Sequence, residues 1–272
     1  MARKSKKVTR KLALRCILAL VVVLVVMVSL AVILKHQAAP AKPEQTTAPT
    51  LEPNPYGPAD FSYDEKGYLT CLSGESIPGI DVSSHQGTID WTKVKAAGME
   101  FAFIRVGYRG YDTGTLHEDE MALTNLQEAK AAGLKIGAYF FSQALNVDEA
   151  VEEAKFALAM LEGVELDLPL VYDWEYVSES ARTGAMAPET LLACVNAFCA
   201  EVERAGFAPM VYFNQELAKT LLDITKLDDY PFWLAMYSDR MTFPHKIDFW
   251  QYSDEGQVPG IEGNVDLDLY FP

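Results

Sequence analysis

The sequence predicts an α/β fold: an irregular (β/α) barrel of about eight strands with some helices missing, preceded by an N-terminal transmembrane helix and a linker. Three observations predict it. Nearly continuous apolar or aromatic runs recur between residues 79 and 271, as expected of parallel strands buried on both faces. Amphipathic stretches that stop at glycine lie between many of these runs, and strands alternating with helices imply β/α architecture. Toward the C-terminus the spacing shortens, and Phe232 to Phe271 has room for three strands but for no ordinary helices. A doubly wound open sheet is the alternative. No G-x-G-x-x-G follows the first strand, which counts against a dinucleotide site.

A chain of 272 residues fits one domain of about 200 residues with appendages. The appendages come first. Residues 1–36 hold eight basic residues and no acid, so residues 1–11 are expected to form a cytoplasmic tail by the positive-inside rule. Cys16 to Leu34 is an uncharged run of 19 residues. At 1.5 Å per residue it just spans a hydrocarbon core of roughly 30 Å, so residues 12–35 are expected to be a signal-anchor helix. The weak Ala38-Ala39 cleavage site keeps a secreted form as the alternative. Residues 36–60 are rich in Pro, Ala and Thr and read as an extended linker. The expected localisation is therefore the cell membrane, single-pass, with a catalytic domain over residues 61–272 on the outer side.

With the basic tail set aside, residues 37–272 carry a net charge of −23. An acidic body argues against a nucleic-acid partner, because phosphate binding needs a basic surface. Cysteine adds little. Cys16 lies in the apolar run, Cys71 is alone, and Cys194 and Cys199 point to different faces of one helical stretch. No metal-ligand spacing such as C-x-x-C is present, so no metal or cofactor is expected.

The strand candidates are Gly79–Ser83, Phe101–Tyr108, Lys135–Ser142, Leu168–Glu175, Pro209–Asn214, Phe232–Tyr237, Asp248–Tyr252 and Val265–Phe271. The helix candidates are Trp91–Ala97, Asp119–Ala132, Val147–Leu161 and Pro188–Ala205, stopped at or near Gly98, Gly133, Gly163 and Gly206. Glycine just past a helix end is the usual stop, because it adopts the left-handed conformation without steric cost.

Barrels of this kind keep their chemistry at the C-terminal ends of the strands. Asp173-Trp174-Glu175 is the strongest local signal there. Residues two apart on a strand face the same side, so two carboxyls share one small volume after a buried run. Like charges at close range raise one pKa, leaving a general acid beside an ionised partner, as glycoside hydrolysis requires. Asp81 and Asp266 sit on two further strand candidates. Aromatics suit the apolar faces of sugar rings; Tyr139, Tyr212, Trp233, Tyr237 and Tyr252, with Gln251, are the cleft candidates, although strand aromatics are mostly core. His85 follows Ser83 and Ser84, but the G-x-S-x-G elbow of a serine hydrolase is absent.

These motifs resemble glycoside hydrolase family 25, the Chalaropsis-type lysozymes or N-acetylmuramidases. The resemblance runs from about Gly79 to Phe271 and rests on GIDVSSHQGTIDW at 79–91, FAFIRVGYRG at 101–110, GAYFFSQA at 137–144, LPLVYDWEYV at 168–177, MVYFN at 210–214, FWLAMY at 232–237 and FWQYSDEGQVPGIEGNVDLDLYF at 249–271. It implies a peptidoglycan hydrolase that cleaves the β-1,4 bond between N-acetylmuramic acid and N-acetylglucosamine with net retention, working as a monomer on glycan strands. It also implies that Glu175 is the proton donor, Asp173 the second catalytic carboxylate, and Asp81 and Asp266 supporting acids. Asp268 stands where the family commonly has Asn. If Asp268 faces the cleft, it is expected to raise the pKa of Glu175 further; if it faces out, nothing changes. Two readings of other kinds remain: a catalytically silent cell-wall glycan-binding module, and a chitin-directed hydrolase.

Overall fold

The apolar runs form strands, and their register closes a barrel. The computed structural model describes residues 51–272. A short antiparallel hairpin comes first, β1 (Phe61–Tyr63) with β2 (Leu69–Cys71). There follow β3 (Ile77–Val82), α1 (Trp91–Ala97), β4 (Phe101–Arg109), β5 (Leu116–Glu118), α2 (Ala122–Ala131), β6 (Lys135–Ser142), α3 (Val147–Met160), β7 (Leu170–Trp174) and α4 (Pro188–Arg204). The chain ends through β8 (Pro209–Asn214), α5 (Gln215–Thr220), β9 (Phe232–Ala235), β10 (Phe249–Gly256) and β11 (Val265–Tyr270).

Eight of these strands close on themselves in the order β3-β11-β10-β9-β8-β7-β6-β4, with β4 pairing back to β3. Every neighbouring pair from β3 through β10 is parallel, whereas β11 runs antiparallel to both β10 and β3. A strand that runs backwards needs no crossover helix, which is why the connection from β10 to β11 is short. β5 takes the edge of β4 beyond the last residue that pairs with β3.

All eight strand candidates form strands, with ends displaced by a few residues. The hairpin β1–β2, the short β5 and the six-residue α5 carried no periodic signal strong enough to predict. α2 starts three residues later than expected, because Asp119 is used elsewhere: its carboxylate accepts hydrogen bonds from the backbone of Ser84 and Met121 and from Arg105.

Two cores result. Helices α1 to α4 bury their apolar faces against the outer surface of the strands. Inside the barrel, Phe101, Phe103, Val171, Met210, Trp233 and Phe249 fill the lower half. Phe103 stacks on Trp233 at 4.7 Å and Phe249 on Tyr270 at 4.5 Å between ring centroids. Gly79 and Gly137 face these rings; a Cβ there would sit 2.4 Å from Phe101 and 2.3 Å from Phe103, so the plug requires glycine at both.

The side of the barrel that lacks helices is covered by the segment preceding it. Phe61 meets Trp250 edge-on at 5.0 Å, Tyr56 meets Phe271 at 5.0 Å, and the amide of Leu69 donates to the hydroxyl of Tyr252. Residues 51–60, whose composition reads as the end of a linker, lie against the barrel as well. The Asn54 amide donates to Pro244 O at 2.9 Å, the Lys246 amide donates to Glu52 O at 2.8 Å, and Lys246 pairs with the Glu52 carboxylate. Among the described residues no helix is long and apolar enough to cross a membrane. The expected basic tail, the expected span at 12–35 and the first part of the linker lie outside the described residues.

Candidate active site

Strand parity decides which side chains reach the barrel interior. On β7, Val171 and Asp173 point inward while Tyr172 and Trp174 pack outside. Glu175, the next inward position, lies just past the strand. On β3 the inward residue at the upper end is Asp81, on β4 Arg105, on β6 Tyr139 and Phe141, on β8 Tyr212, on β9 Trp233 and on β10 Gln251. These side chains, with Tyr237 and Asp266, line one cleft of about 160 Å³ at the top of the barrel.

Asp266 reaches this end for a topological reason. It stands near the start of β11, not near its end, and lies opposite Asp81 in the ladder. Because β11 is antiparallel, its beginning meets the C-terminal ends of the parallel strands. A larger recess of about 440 Å³ beside Trp174, Tyr176 and Leu217 holds one carboxylate, Glu216. The concentration of acids is in the smaller cleft.

Hydrogen bonds hold the cleft wall. Gln251 Nε2 donates to Asp81 Oδ2 at 2.6 Å, and Gln251 Oε1 accepts from the hydroxyls of Tyr212 at 3.0 Å and Tyr237 at 3.2 Å. Arg105, the one cation lining the cleft among the described residues, donates from Nε to Asp119 Oδ2 at 2.9 Å. One oxygen of Asp173, Oδ1, is buried and has no hydrogen-bond partner among the described residues.

Burial dominates the electrostatics. It pushes Asp173 well above the usual carboxylate range, the charge of Glu175 adds to this, and Arg105 opposes it. Glu175 is raised by burial and then by Asp266. Asp81 is raised well above its usual value by burial and by Asp266 and Asp268, against the hydrogen bond from Gln251. Asp266 is raised to about 6, mainly by burial. Desolvation penalises the charged form, and clustered like charges do the same. The cleft acids therefore give up their protons at higher pH than isolated carboxylates would. Shared sites of this kind titrate together, so the protons belong to the group of acids.

The sequence reading placed four acids, Asp81, Asp173, Glu175 and Asp266, in this cleft, and all four line it. Tyr139, Tyr212, Trp233, Tyr237 and Gln251 line it too. Only Tyr237 is substantially exposed, at 55 %. Trp233 is almost fully buried and forms part of the floor. Tyr252 is not in the cleft: its parity is outward, and it packs beneath the β1–β2 hairpin. Asp268 follows neither course that was expected of it. It faces inward but lies wholly buried below the cleft, where its Oδ1 accepts from Trp233 Nε1 at 2.9 Å. Its charge bears on Asp81, while Asp266 is the acid that acts on Glu175.

Arg105 and Phe141 were missed. Arg105 had a readable signal: it shares the parity of Phe101 and Phe103 within an apolar run, and a cation there must have a partner. Among the described residues no group of three or more His, Cys, Asp or Glu is arranged to hold a metal ion.

A closed barrel whose upper mouth is ringed with carboxyls of raised pKa and aromatic hydroxyls suits a glycoside hydrolase. Comparison with known proteins agrees. The model of Glycosyl hydrolases family 25 matches residues 80–261, and the chain belongs to that family. Lysozyme M1 of Streptomyces globisporus is 30 % identical over 79 % of this chain and 70 % of its own length. The autolytic lysozyme of Clostridium acetobutylicum is 30 % identical over 71 % of this chain, which spans 56 % of that protein. Among solved structures, the lysozyme of Streptomyces coelicolor is 28 % identical with a TM-score of 0.60, covering 73 % of this chain and 92 % of that one. The modular autolysin LytC of Streptococcus pneumoniae is 25 % identical with a TM-score of 0.66, over 78 % of this chain and 52 % of its own, so this chain spans about half of it.

Proposed function

We propose that this protein is a muramidase that hydrolyses the β-1,4 bond between N-acetylmuramic acid and N-acetylglucosamine in peptidoglycan, with net retention of configuration. The observation that carries the proposal is the Asp173/Glu175 pair, aimed into one cleft by strand parity and raised in pKa by burial. The lysozyme names of its relatives support the substrate, as does a structure of LytC in complex with a synthetic peptidoglycan ligand.

In this reading Glu175 protonates the leaving glycosidic oxygen. The oxygen of the substrate's own 2-acetamido group attacks the anomeric carbon, and Asp173 orients that group. Glu175 then takes a proton from the water that opens the cyclic intermediate, which restores the starting state and retains configuration. The acetamido route is favoured over direct attack by Asp173 on physical grounds. The 2-acetamido group of the substrate is an internal nucleophile, and the unpartnered Oδ1 of Asp173 is available to accept a hydrogen bond from its N–H. Asp81 and Asp266 keep the cleft acidic and position the sugar, and Tyr139, Tyr212, Tyr237 and Gln251 supply its aromatic and polar wall.

Residues 12–35 are proposed to hold this domain at the outer face of the cell membrane as a monomer. Sedimentation of the full-length protein with the membrane fraction, lost on deleting residues 1–35, is the expected result; a soluble, shortened product would indicate cleavage instead. Mass analysis of digested peptidoglycan tests the activity itself. New reducing ends on N-acetylmuramic acid are expected. Ends on N-acetylglucosamine would refute the bond assignment. Preferential release from chitin oligomers would favour the chitin-directed reading, and binding without release the silent module.

A further inference from the structure

Asp173 and Glu175 are held in different ways. Asp173 has ladder partners on both sides, Phe141 on β6 and Tyr212 on β8. β7 ends at Trp174, so Glu175 is the first residue past the ladder. An acid must nevertheless be placed accurately, because a displacement of about 1 Å can cost on the order of a hundredfold in rate.

A side chain replaces the missing strand partner. The carbonyl of Glu175 accepts a hydrogen bond from Gln143 Nε2 at 2.9 Å. Gln143 directly follows β6 and is wholly buried. All four of its polar atoms are engaged. Its amide donates to Glu153 Oε1 at 3.3 Å, its carbonyl accepts from Arg182 Nη1 at 2.9 Å, and its Oε1 accepts from Thr183 Oγ1 at 2.5 Å. The surrounding charges are paired: Arg182 with Glu149 at 2.7 Å, and Arg109 with Glu153 at 2.7 Å and with Glu152 at 2.7 Å. Both ends of the segment from Glu175 to Thr183 are thus tied to one buried amide.

We propose that Gln143 is a positioning residue for the acid of this enzyme, placing the Glu175 carboxyl by holding its main chain at the point where the sheet stops. It lies outside the residues that line the cleft, so it reaches the reacting atoms through Glu175. The proposal rests on the reading of Glu175 as proton donor.

Three variants of the full chain test it, assayed for kcat and KM on soluble peptidoglycan fragments. Gln143→Met keeps the length of the side chain and removes both of its hydrogen bonds; kcat is expected to fall about tenfold to a hundredfold, with KM within about twofold, since substrate contacts are untouched. Gln143→Glu adds a diagnostic. Its carboxylate form cannot donate to the Glu175 carbonyl, whereas its protonated form can. Its kcat, taken relative to wild type at each pH, is expected to recover as pH falls, and that of Gln143→Met is not. Glu175→Gln is the control. If it retains turnover, the assignment of the acid fails. If it is inactive while folded Gln143→Met keeps wild-type kcat, or Gln143→Glu shows the same deficit at every pH, the positioning role is overturned. Should Gln143→Met not fold, Thr183→Val removes only the hydroxyl that holds Gln143 Oε1. A fall in its kcat of about threefold or more, again at constant KM, is expected, and an unchanged kcat overturns the proposal.

Discussion

The two halves of the barrel interior are built on the same strands with the same inward parity, yet they oppose each other chemically. Below, Phe101, Phe103, Trp233, Phe249 and Tyr270 form stacked and edge-on aromatic pairs. Above, at the upper ends of β3 and β7 and at the start of β11, stand Asp81, Asp173, Glu175 and Asp266. The lower half stabilises the fold. The upper half costs stability, because ionising several buried carboxyls in one place is unfavourable. The two are connected, since an apolar floor keeps water out from beneath the acids and so keeps their pKa values high. Asp268 marks the border, an acid below the cleft whose second oxygen has no partner among the described residues.

The largest expected effect is on the chemistry above. Glu175→Gln should lower kcat by about 10²–10⁴-fold, the usual contribution of a general acid, while circular dichroism and the thermal midpoint stay near wild type. Near-normal turnover would remove the functional half of the comparison. Below the cleft the expected effect is on stability: Phe103→Ala should cost about 3–5 kcal/mol, as large-to-small aromatic substitutions in cores do. Denaturant unfolding measures this, and a loss under about 1 kcal/mol would mean that the plug contributes little.

The border residue sharpens the contrast. The folded-state pKa values of Asp81, Asp173, Asp266 and Asp268 lie above their unfolded values. Their contribution to stability is therefore complete below about pH 4 and is lost as pH rises through the folded values, for Asp266 about 6. Thermal midpoints are expected to be higher at pH 5 than at pH 8. Asp268→Asn keeps an acceptor for Trp233 and removes the ionisable group, so it should narrow that difference by raising the midpoint at pH 8. An unchanged or lower midpoint there would show that Asp268 carries no electrostatic cost. The smallest effect concerns the whole surface. Residues 37–272 carry a charge of −23, and wall polymers are often anionic. Activity on wall material should rise with moderate salt, because screening shortens the reach of repulsion to about 8–10 Å; a flat or falling series would count against it.

Particular residues show what could be read in advance. The D-x-E pair was legible because a two-residue repeat has only one geometric outcome on a strand. Trp233 and Gln251, chosen as sugar-cleft candidates, face inward by the same parity. Tyr252 was misplaced for the same reason: it is one residue from Gln251 and so points the other way. Gln143 carried no signal, because its role depends on where β7 happens to stop and on a segment that returns some forty residues later. The β1–β2 hairpin escaped notice because three-residue strands have too few positions to show a period. Yet it covers the barrel face that no helix covers.

Local sequence by itself determined the eight barrel strands, four helices and the shared face of Asp173 and Glu175, since period and turn chemistry act over a few residues. Strand direction and partnership were decided only by closure of the sheet. That closure turned β11 around and brought Asp266 to Asp81, sank Asp268 beneath the cleft, and set a glutamine just past one strand against the carbonyl of an acid just past the next. Such contacts join residues tens to nearly two hundred positions apart, and no short-range pattern encodes them.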